Sequence, residues 1–350
     1  MSIEVSADIN RLTEFRQRLQ PIIKTVQLWF AVGLAIAVLV HGCTLGGQTP
    51  QPLRIGINSW PGYAIAYYAQ NTGLFETRGL EVELIHFNNQ QDNIRATLRG
   101  ALDASFVPLW EVLQADPGEE QPVVLMVADI SAGSDGIVAA PGIHSVADLR
   151  GKKVGVKLGT VPHLVLLEAL ETEKIVPKEV EVVDVSNDIG IQQLKDGQLD
   201  AAVVWEPTLS ETANQLGSQV IFTTADVDSL VIDGFVSRRS FVKKHPKRLK
   251  QFMLAWFDAI HAVESNPDDV FKQIGQHIGQ SQEAFAAAYA GLKKGDRAMN
   301  QRMFREGRLL EATQQISTLL DADSRHNRII RNDIELDATL VEEAMRSWQP

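Results

Sequence analysis

From Leu53 onward, short apolar runs alternate with stretches whose apolar positions recur at helical spacing. This alternation is typical of βα units, in which parallel strands are joined by helices that cover the sheet. The predicted strands are Leu53–Asn58, Leu80–Phe87, Ala104–Leu109, Val123–Ala128, Lys153–Leu158, Val180–Val185, Ala201–Trp205 and Gln219–Thr223.

Helical spacing predicts further elements between the strands and throughout the C-terminal part of the chain. These helices are Asp92–Arg99, Val161–Glu171, Arg248–Glu264, Asp268–Ile278 and Ser281–Leu292. We expect the helical tail after Phe241 to pack on one half of the molecule and strap it to the other.

An internal repeat indicates that the body consists of two similar lobes. Gly100-Ala101-Leu102-Asp103-Ala104 recurs as Gly197-Gln198-Leu199-Asp200-Ala201, each time between a predicted helix and a predicted strand. The glycine stands where a helix C-terminus favours one. Arg54–Ile57 is echoed by Lys153–Val156, and Trp110-Glu111 by Trp205-Glu206, at nearly the same offset. Open α/β sheets bind ligands beyond the carboxyl ends of their strands, so two such lobes predict a cleft between them.

The N-terminal segment predicts export. Leu28–Val40 is a run of 13 residues without a charge that follows several basic residues. It is shorter than the roughly 20 apolar residues of a membrane-spanning helix, which favours a signal peptide over residues 1–42. Val40-His41-Gly42-Cys43 resembles a bacterial lipobox, so Cys43 is the predicted lipidation site and residues 43–52 the predicted tether. An uncleaved N-terminal anchor is the alternative.

Charge and composition exclude several classes of function. The formal net charge is -11, and it is -12 without residues 1–42, which argues against a nucleic-acid partner. Cys43 is the only cysteine, so an intrachain disulfide or a cysteine-rich metal site is impossible. The histidines show no paired metal spacing, and no hydrolase or nucleotide-binding loop motif occurs. We therefore expect no cofactor, no metal and no catalytic residues.

Several segments resemble the nitrate/sulfonate/taurine-type binding proteins, a family that includes thiamine-precursor receptors. They are Arg54–Tyr63, Gly73–Phe75, Gly79–Glu83, Asp148–Val156 and Ala201–Pro207. The resemblance implies a type II periplasmic-binding-protein fold, with two doubly wound α/β lobes around a hinged cleft. It places lobe one at 53–139 plus 236–350 and lobe two at 140–235, with crossovers near Ala139-Ala140 and Val231–Phe235.

The resemblance also implies a function. A solute-binding lipoprotein would work as a monomer on the extracytoplasmic face of the cytoplasmic membrane. It would capture a small polar solute by lobe closure and deliver it to an ABC permease and its ATPase. A receptor that docks only on a signalling protein is the alternative, which neighbouring genes would distinguish. The thiamine-precursor branch includes an enzyme, but its cysteine-rich iron site has no counterpart here.

Residues that follow predicted strands are the candidate solute ligands, and they favour a cationic or amine-bearing solute. Carboxylates with aromatic walls complement an amine or guanidinium, whereas nitrate, taurine or an alkylsulfonate would want cationic side chains and helix N-termini. A pyrimidine is a further alternative. Glu206 could instead cap a helix and Asp135 brace a turn, and the aromatic residues could belong to the core. The candidates are Ser59, Trp60, Tyr63, Trp110, Glu111, Asp135, Thr160, His163, Trp205, Glu206 and Asp233.

Overall fold

The computed structural model describes residues 51–116, 118, 120–323 and 330–350. The predicted signal peptide, the lipidation site Cys43 and nearly all of the predicted tether lie outside these residues. Within the described ranges, no helix combines the length and apolar character needed to cross a membrane. Residues 52–350 form one compact unit.

Strands carry the framework of this unit. They are β1 (Leu53–Ile57), β2 (Val82–His86), β3 (Ala104–Pro108), β4 (Pro122–Ser131), β5 (Asp135–Ala139), β6 (Lys153–Val156), β7 (Glu181–Asp184), β8 (Ala201–Trp205), β9 (Val220–Thr223), β10 (Ile232–Arg238), β11 (Leu292–Lys294) and β12 (Glu335–Leu336).

Helices join and cover the strands. They are α1 (Ile65–Asn71), α2 (Leu74–Thr77), α3 (Gln90–Leu98), α4 (Leu109–Leu113), α5 (Val161–Thr172), α6 (Asn187–Lys195), α7 (Thr208–Leu216), α8 (Arg239–Lys244), α9 (Pro246–Ser265), α10 (Pro267–Ile278), α11 (Gln282–Ala290), α12 (Arg297–Asn300), α13 (Arg308–Ala322) and α14 (Thr339–Ser347). Short 3-10 turns lie at Val146–Leu149, Pro177–Glu179 and Thr224–Asp226, and a π-helical turn at Gln301–Arg305.

Two sheets divide the strands between two lobes. The first has the order β11-β4-β10-β3-β1-β2, with β12 paired to β4, and the second has the order β7-β6-β8-β5-β9. Strand β1 pairs in parallel with β2 and β3, as β6 does with β7 and β8. The parallel strands of each sheet therefore end at a common edge, where the loops that follow them meet.

The first crossover lies ahead of its predicted position. Strand β5 pairs with β8 and β9 in the second sheet, so the chain leaves the first sheet between Ser131 and Asp135, before the predicted point near Ala139-Ala140. It returns ahead of β10, which pairs with β3 and β4. The run from 122 to 139 is apolar on both sides of Ala132–Ser134, so its pattern does not mark the change of sheet.

The internal repeat has a structural cause. Gly100 and Gly197 both adopt positive φ, 80° and 71°, just past the ends of α3 and α6. The Asp103 carboxylate accepts a hydrogen bond from the Arg54 backbone N–H at 2.9 Å, and Asp200 does the same for Lys153 at 2.8 Å. The repeated segment thus caps a helix and fixes the start of the neighbouring strand in both lobes.

The core explains how the C-terminal helices stabilise both lobes. Phe252 and Trp256 of α9 pack with Phe106 of β3 and Phe235 of β10 inside the first lobe. Leu309 and Ile316 of α13 join the same apolar cluster as the buried leucines of α5 in the second lobe. The helical tail packs on lobe one through α9 and reaches lobe two through α13, as the sequence predicted.

Candidate functional site

A cleft of about 410 Å³ lies where the ends of the strands in the two sheets face each other. Residues from both lobes and from both crossover strands line it. Eight of the sequence-predicted residues are among them: Ser59, Trp60, Tyr63, Glu111, Asp135, Thr160, Trp205 and Asp233.

Further lining residues were not predicted. Asn58 precedes Ser59, and Phe87–Gln91 form the loop after β2 and the first turn of α3. Their position was available in the sequence, since β2 is parallel to β1 and its carboxyl end must meet the same edge. The amides among them have neither the charge nor the aromatic ring that marks the predicted candidates.

Three predicted residues do not line the cleft. Trp110 is 1% exposed and belongs to the apolar core. His163 is fully buried, with Nε2 2.9 Å from an Asp323 oxygen and Nδ1 3.3 Å from the Gly159 backbone nitrogen. Glu206 accepts hydrogen bonds from the backbone N–H and the hydroxyl of Ser210, so it caps α7.

His163 nevertheless supports the cleft wall. Its Nδ1 accepts the Gly159 N–H, so the ring carries its proton on Nε2 and donates it to Asp323. Asp323 comes directly after α13, whereas Gly159 and Thr160 are cleft residues at the start of α5. The histidine therefore links the cleft-lining turn of lobe two to the C-terminal helical tail.

Buried carboxyl groups lie in and beside the cleft: Glu111, Asp135 and Asp233 line it, and Asp129 pairs with Asp233 in the sheet. Asp129, Asp135 and Asp233 are each at most 2% exposed, and Glu111 is 4% exposed. Tyr63 donates its hydroxyl proton to Asp233, and Trp60 donates its indole N–H to Asp129 at 2.9 Å. These two aromatic side chains, which follow β1, thus hold the acids of β4 and β10 in place.

Burial sets the proton affinity of this group. It raises the pKa of Asp129 and of Asp135 to about 7, with a hydrogen bond from Trp60 acting against the shift at Asp129 and one from Ser131 at Asp135. Burial raises the pKa of Asp233 as well, and the nearby charge of Asp129 raises it further. The pKa of Tyr63 also rises, because it is buried beside the Asp233 carboxylate. Near neutral pH the group therefore exchanges protons.

Within the described part of the chain, no arginine or lysine acts on the pKa of Asp129, Asp135 or Asp233. Burial and hydrogen bonds set the pKa of both Asp129 and Asp135, and the charge of Asp135 raises the pKa of Asp129 further. Lys157 lines the cleft, but its ammonium lies 3.0 Å from Asp184 and is half exposed. One oxygen of Asp135, Oδ2, is buried without a hydrogen-bond partner. Such a group costs free energy in the ligand-free protein and is best satisfied by a donor.

Aromatic surfaces and a helix start complete the cleft. Trp205, at the end of β8, is 42% exposed and offers a free ring face, whereas Tyr63 is fully buried and stacks on Phe106. Thr160 precedes the first turn of α5, whose backbone N–H groups favour negative charge. In the described ranges no group of histidine, cysteine and acidic side chains has the arrangement of a metal site.

Comparison with known proteins gives a consistent result. The model of the "NMT1/THI5 like" family matches residues 60–270. A Brucella abortus (strain 2308) protein with the provisional name of binding protein is 27% identical over 222 residues, covering 62% of this chain and 68% of its own. The taurine-binding periplasmic protein of Escherichia coli (strain K12) is 27% identical over 208 residues, 59% of this chain and 64% of its own.

Solved structures share the fold. The periplasmic aliphatic sulphonate binding protein SsuA of Escherichia coli superposes with a TM-score of 0.66 at 17% identity, over 83% of this chain and 95% of its own. The predicted periplasmic-binding-protein fold is confirmed. The relatives are binding proteins, which also confirms the expectation of a binding protein rather than an enzyme.

Proposed function

Because the chain belongs to the NMT1/THI5-like family, we propose that it is the solute-binding component of an ABC importer and that its cleft takes a small amine-bearing or guanidinium-bearing solute. The family assignment agrees with the resemblance to nitrate/sulfonate/taurine-type proteins. The preference for a cationic group is inferred from the chemistry of the cleft.

One observation carries this preference: Asp135 lines the cleft, is almost fully buried and has one carboxylate oxygen without a partner. Asp233 and Glu111 line the same cavity and add acidic groups around it. An ammonium or amidinium would supply charge-assisted hydrogen bonds to these oxygens, and the exposed ring of Trp205 could pack over the cation.

The position of the acids also suggests how the solute would close the lobes. Asp135 begins β5 directly after the first crossover, and Asp233 lies near the start of β10 directly after the second. The first strand belongs to lobe two and the second to lobe one. A cation that binds both carboxylates would bridge the lobes beside the hinge and favour the closed state by its higher affinity for it.

An anionic solute is the second candidate, and two features favour it. The start of α5 and Lys157 both line the cleft, and the Escherichia coli relative is named for taurine, which carries a sulfonate as well as an amine. Against it, Lys157 is already paired with Asp184, and a free sulfonate without an amine would face the buried acids.

Thermal-shift measurements and calorimetry on the purified full-length chain test the proposal. Amines and guanidinium should stabilise the protein, since a ligand that binds the native state raises its unfolding temperature. Nitrate and ethanesulfonate should not. Asp135→Asn and Glu111→Gln should each weaken amine binding by about tenfold or more, the loss expected for a charge-assisted hydrogen bond. Binding of the anions with unchanged affinity in both variants would contradict the cationic assignment.

We also propose that Cys43 is lipidated and holds the protein on the extracytoplasmic face of the membrane. The apolar run 28–40 and the following His-Gly-Cys support this proposal. Labelling of cells with a radioactive fatty acid should mark the wild-type protein and not a Cys43→Ser variant. Equal labelling of the two, or none, would contradict it.

A further inference from the structure

The amide side chains at the start of α3 form a second polar surface of the cleft. Asn89 caps this nine-residue helix, its side-chain oxygen accepting the Gln91 backbone N–H at 2.8 Å. Gln90 and Gln91 follow in the first turn, and both line the cleft. These glutamines bear no charge, so they differ in chemistry from the acids that line the same cavity.

Gln91 is buried without making any side-chain hydrogen bond. It is 8% exposed, and both Nε2 and Oε1 lack a partner. Among its neighbours, Asn93 donates to the Gln90 oxygen at 2.9 Å and to the Phe106 carbonyl at 3.0 Å, whereas Gln90 Nε2 and Asn93 Oδ1 also lack partners. Gln91 is the residue of the three whose side chain makes no hydrogen bond at all. Each unmade hydrogen bond of a buried group is costly, and few such groups occur in native proteins. Gln91 therefore has the features of a side chain kept for a ligand.

In the sheet order, the strand that precedes Gln91 and the strand that precedes Glu111 are separated by one other strand. Gln91 follows β2, Trp60 and Tyr63 follow β1, and Glu111 follows β3, in three adjacent parallel strands. Neighbouring strands lie about 4.8 Å apart, so the ends of β2 and β3 are roughly 10 Å apart. A solute of a few bonds in length can therefore meet an acid with one end and Gln91 with the other.

We propose that Gln91 binds an uncharged group of the solute that has a donor and an acceptor side by side, as a carboxamide or a ureido group has. This inference rests on the proposed function, because it assigns the far end of the same amine-bearing solute. A carboxamide satisfies Nε2 and Oε1 of Gln91 together. A carboxylate or sulfonate offers only acceptors and leaves Oε1 unmatched, and an alkyl group leaves both atoms unmatched.

A set of four probes separates the two ends of the solute. The probe 4-aminobutanamide has an amine and a carboxamide, pentylamine keeps only the amine, and pentanamide keeps only the carboxamide. Taurine has an amine and a sulfonate. Calorimetry on the full-length protein should show 4-aminobutanamide binding at least tenfold more tightly than pentylamine and pentanamide, because each loses one set of buried hydrogen bonds.

Gln91→Leu should remove the preference for 4-aminobutanamide over pentylamine, since leucine has similar size and no polar atoms. Gln114→Leu is the matched control: Gln114 is a buried glutamine, 2% exposed, that does not line the cleft. It should keep the tenfold preference. A preference that survives in Gln91→Leu, or is absent in the wild type, overturns the role of Gln91.

The same measurements distinguish failure of this inference from failure of the proposed function. If pentylamine and 4-aminobutanamide bind equally, the cationic assignment stands and the role of Gln91 falls. If taurine or pentanamide binds but neither pentylamine nor 4-aminobutanamide does, both the cationic assignment and the role of Gln91 are wrong. Thermal unfolding of the ligand-free protein is a second test of Gln91, and it requires none of the four probes. Gln91→Leu should unfold at the same temperature as wild type or higher, and a lower temperature would show that Gln91 already has its hydrogen bonds and would overturn the inference.

Discussion

Replacing Asp135 with asparagine tests whether the cleft holds an uncompensated buried charge. Burial raises the pKa of Asp135 to about 7, whereas an aspartate in an unfolded chain has a pKa of about 3.9. Between these values the folded state keeps a proton that the unfolded state has lost. The free energy of unfolding therefore falls as the pH rises from about 4 to about 7, and it no longer changes through this group above that range.

The size of the effect follows from the same two values. Each pH unit inside the window costs about 1.4 kcal/mol, and the step from pH 5 to pH 8 crosses about two such units. Wild type should lose about 3 kcal/mol through Asp135 over this step. Asparagine has nearly the same shape and no proton to lose. Relative to wild type, Asp135→Asn should therefore be more stable at pH 8 than at pH 5 by about 3 kcal/mol.

Urea unfolding of the ligand-free full-length chain at the two pH values measures this difference. Other acids contribute equally to the pH dependence of the unfolding free energy in variant and wild type, so the comparison removes their contribution, except for acids that interact with Asp135. Glu173→Gln is the control for the loss of one acidic group, because Glu173 is exposed and does not line the cleft. The reasoning is refuted if Asp135→Asn shows the same difference from wild type at pH 5 and pH 8.

Two further predictions concern solute binding. A cation binds ionised acids better than protonated ones, so an amine should bind more weakly below pH 7, by about tenfold per pH unit for each proton that must leave. Calorimetry in two buffers of different ionisation enthalpy should detect the release of protons on binding. Proton uptake would contradict the assignment. Glu206→Gln should leave solute affinity unchanged, because Glu206 is held by Ser210 at the start of α7. Its cost should appear instead as about 1 kcal/mol of unfolding free energy, as for other helix caps, and a weaker affinity would show that Glu206 acts on the cleft.

Most strands and helices could be predicted because their apolar spacing is undisturbed. The predicted helix Val161–Glu171 is observed as Val161–Thr172, and the predicted strand Ala201–Trp205 has the same bounds in the structure. Four strands were not predicted: β5, β10 and the short strands β11 and β12. Of these, β5 and β10 both begin near an Asp-Gly pair, Asp135-Gly136 and Asp233-Gly234. This pair is a strong turn signal. Here Gly136 serves close packing instead, since a Cβ at that position would lie 2.5 Å from the Phe222 carbonyl oxygen.

The candidate site could be predicted only in part, because sequence position does not fix the direction of a side chain. Sequence position identified Ser59, Trp60 and Thr160, which follow strands that the pattern marks. It could not separate Glu206, at the end of a strand yet turned to its own helix, from Glu111, which lines the cleft. It also gave no sign that Asp129, inside a strand rather than after it, would accept the Trp60 indole N–H. Side-chain direction at strand ends depends on the tertiary fold.

Two of the unpredicted strands, β5 and β10, carry acids that line the cleft, and the same residues explain both facts. Asp135 and Asp233 stand at the points where the chain passes between the lobes, and both are buried acids on whose pKa no described arginine or lysine acts. Sequence patterns that favour stability would place apolar residues there. Acids that destabilise the empty cleft give a bound cation more free energy to recover, and because one lies in each lobe, that gain is largest when the lobes are closed. The placement of one buried acid in each lobe therefore both destabilises the ligand-free protein and couples binding of the solute to closure of the lobes.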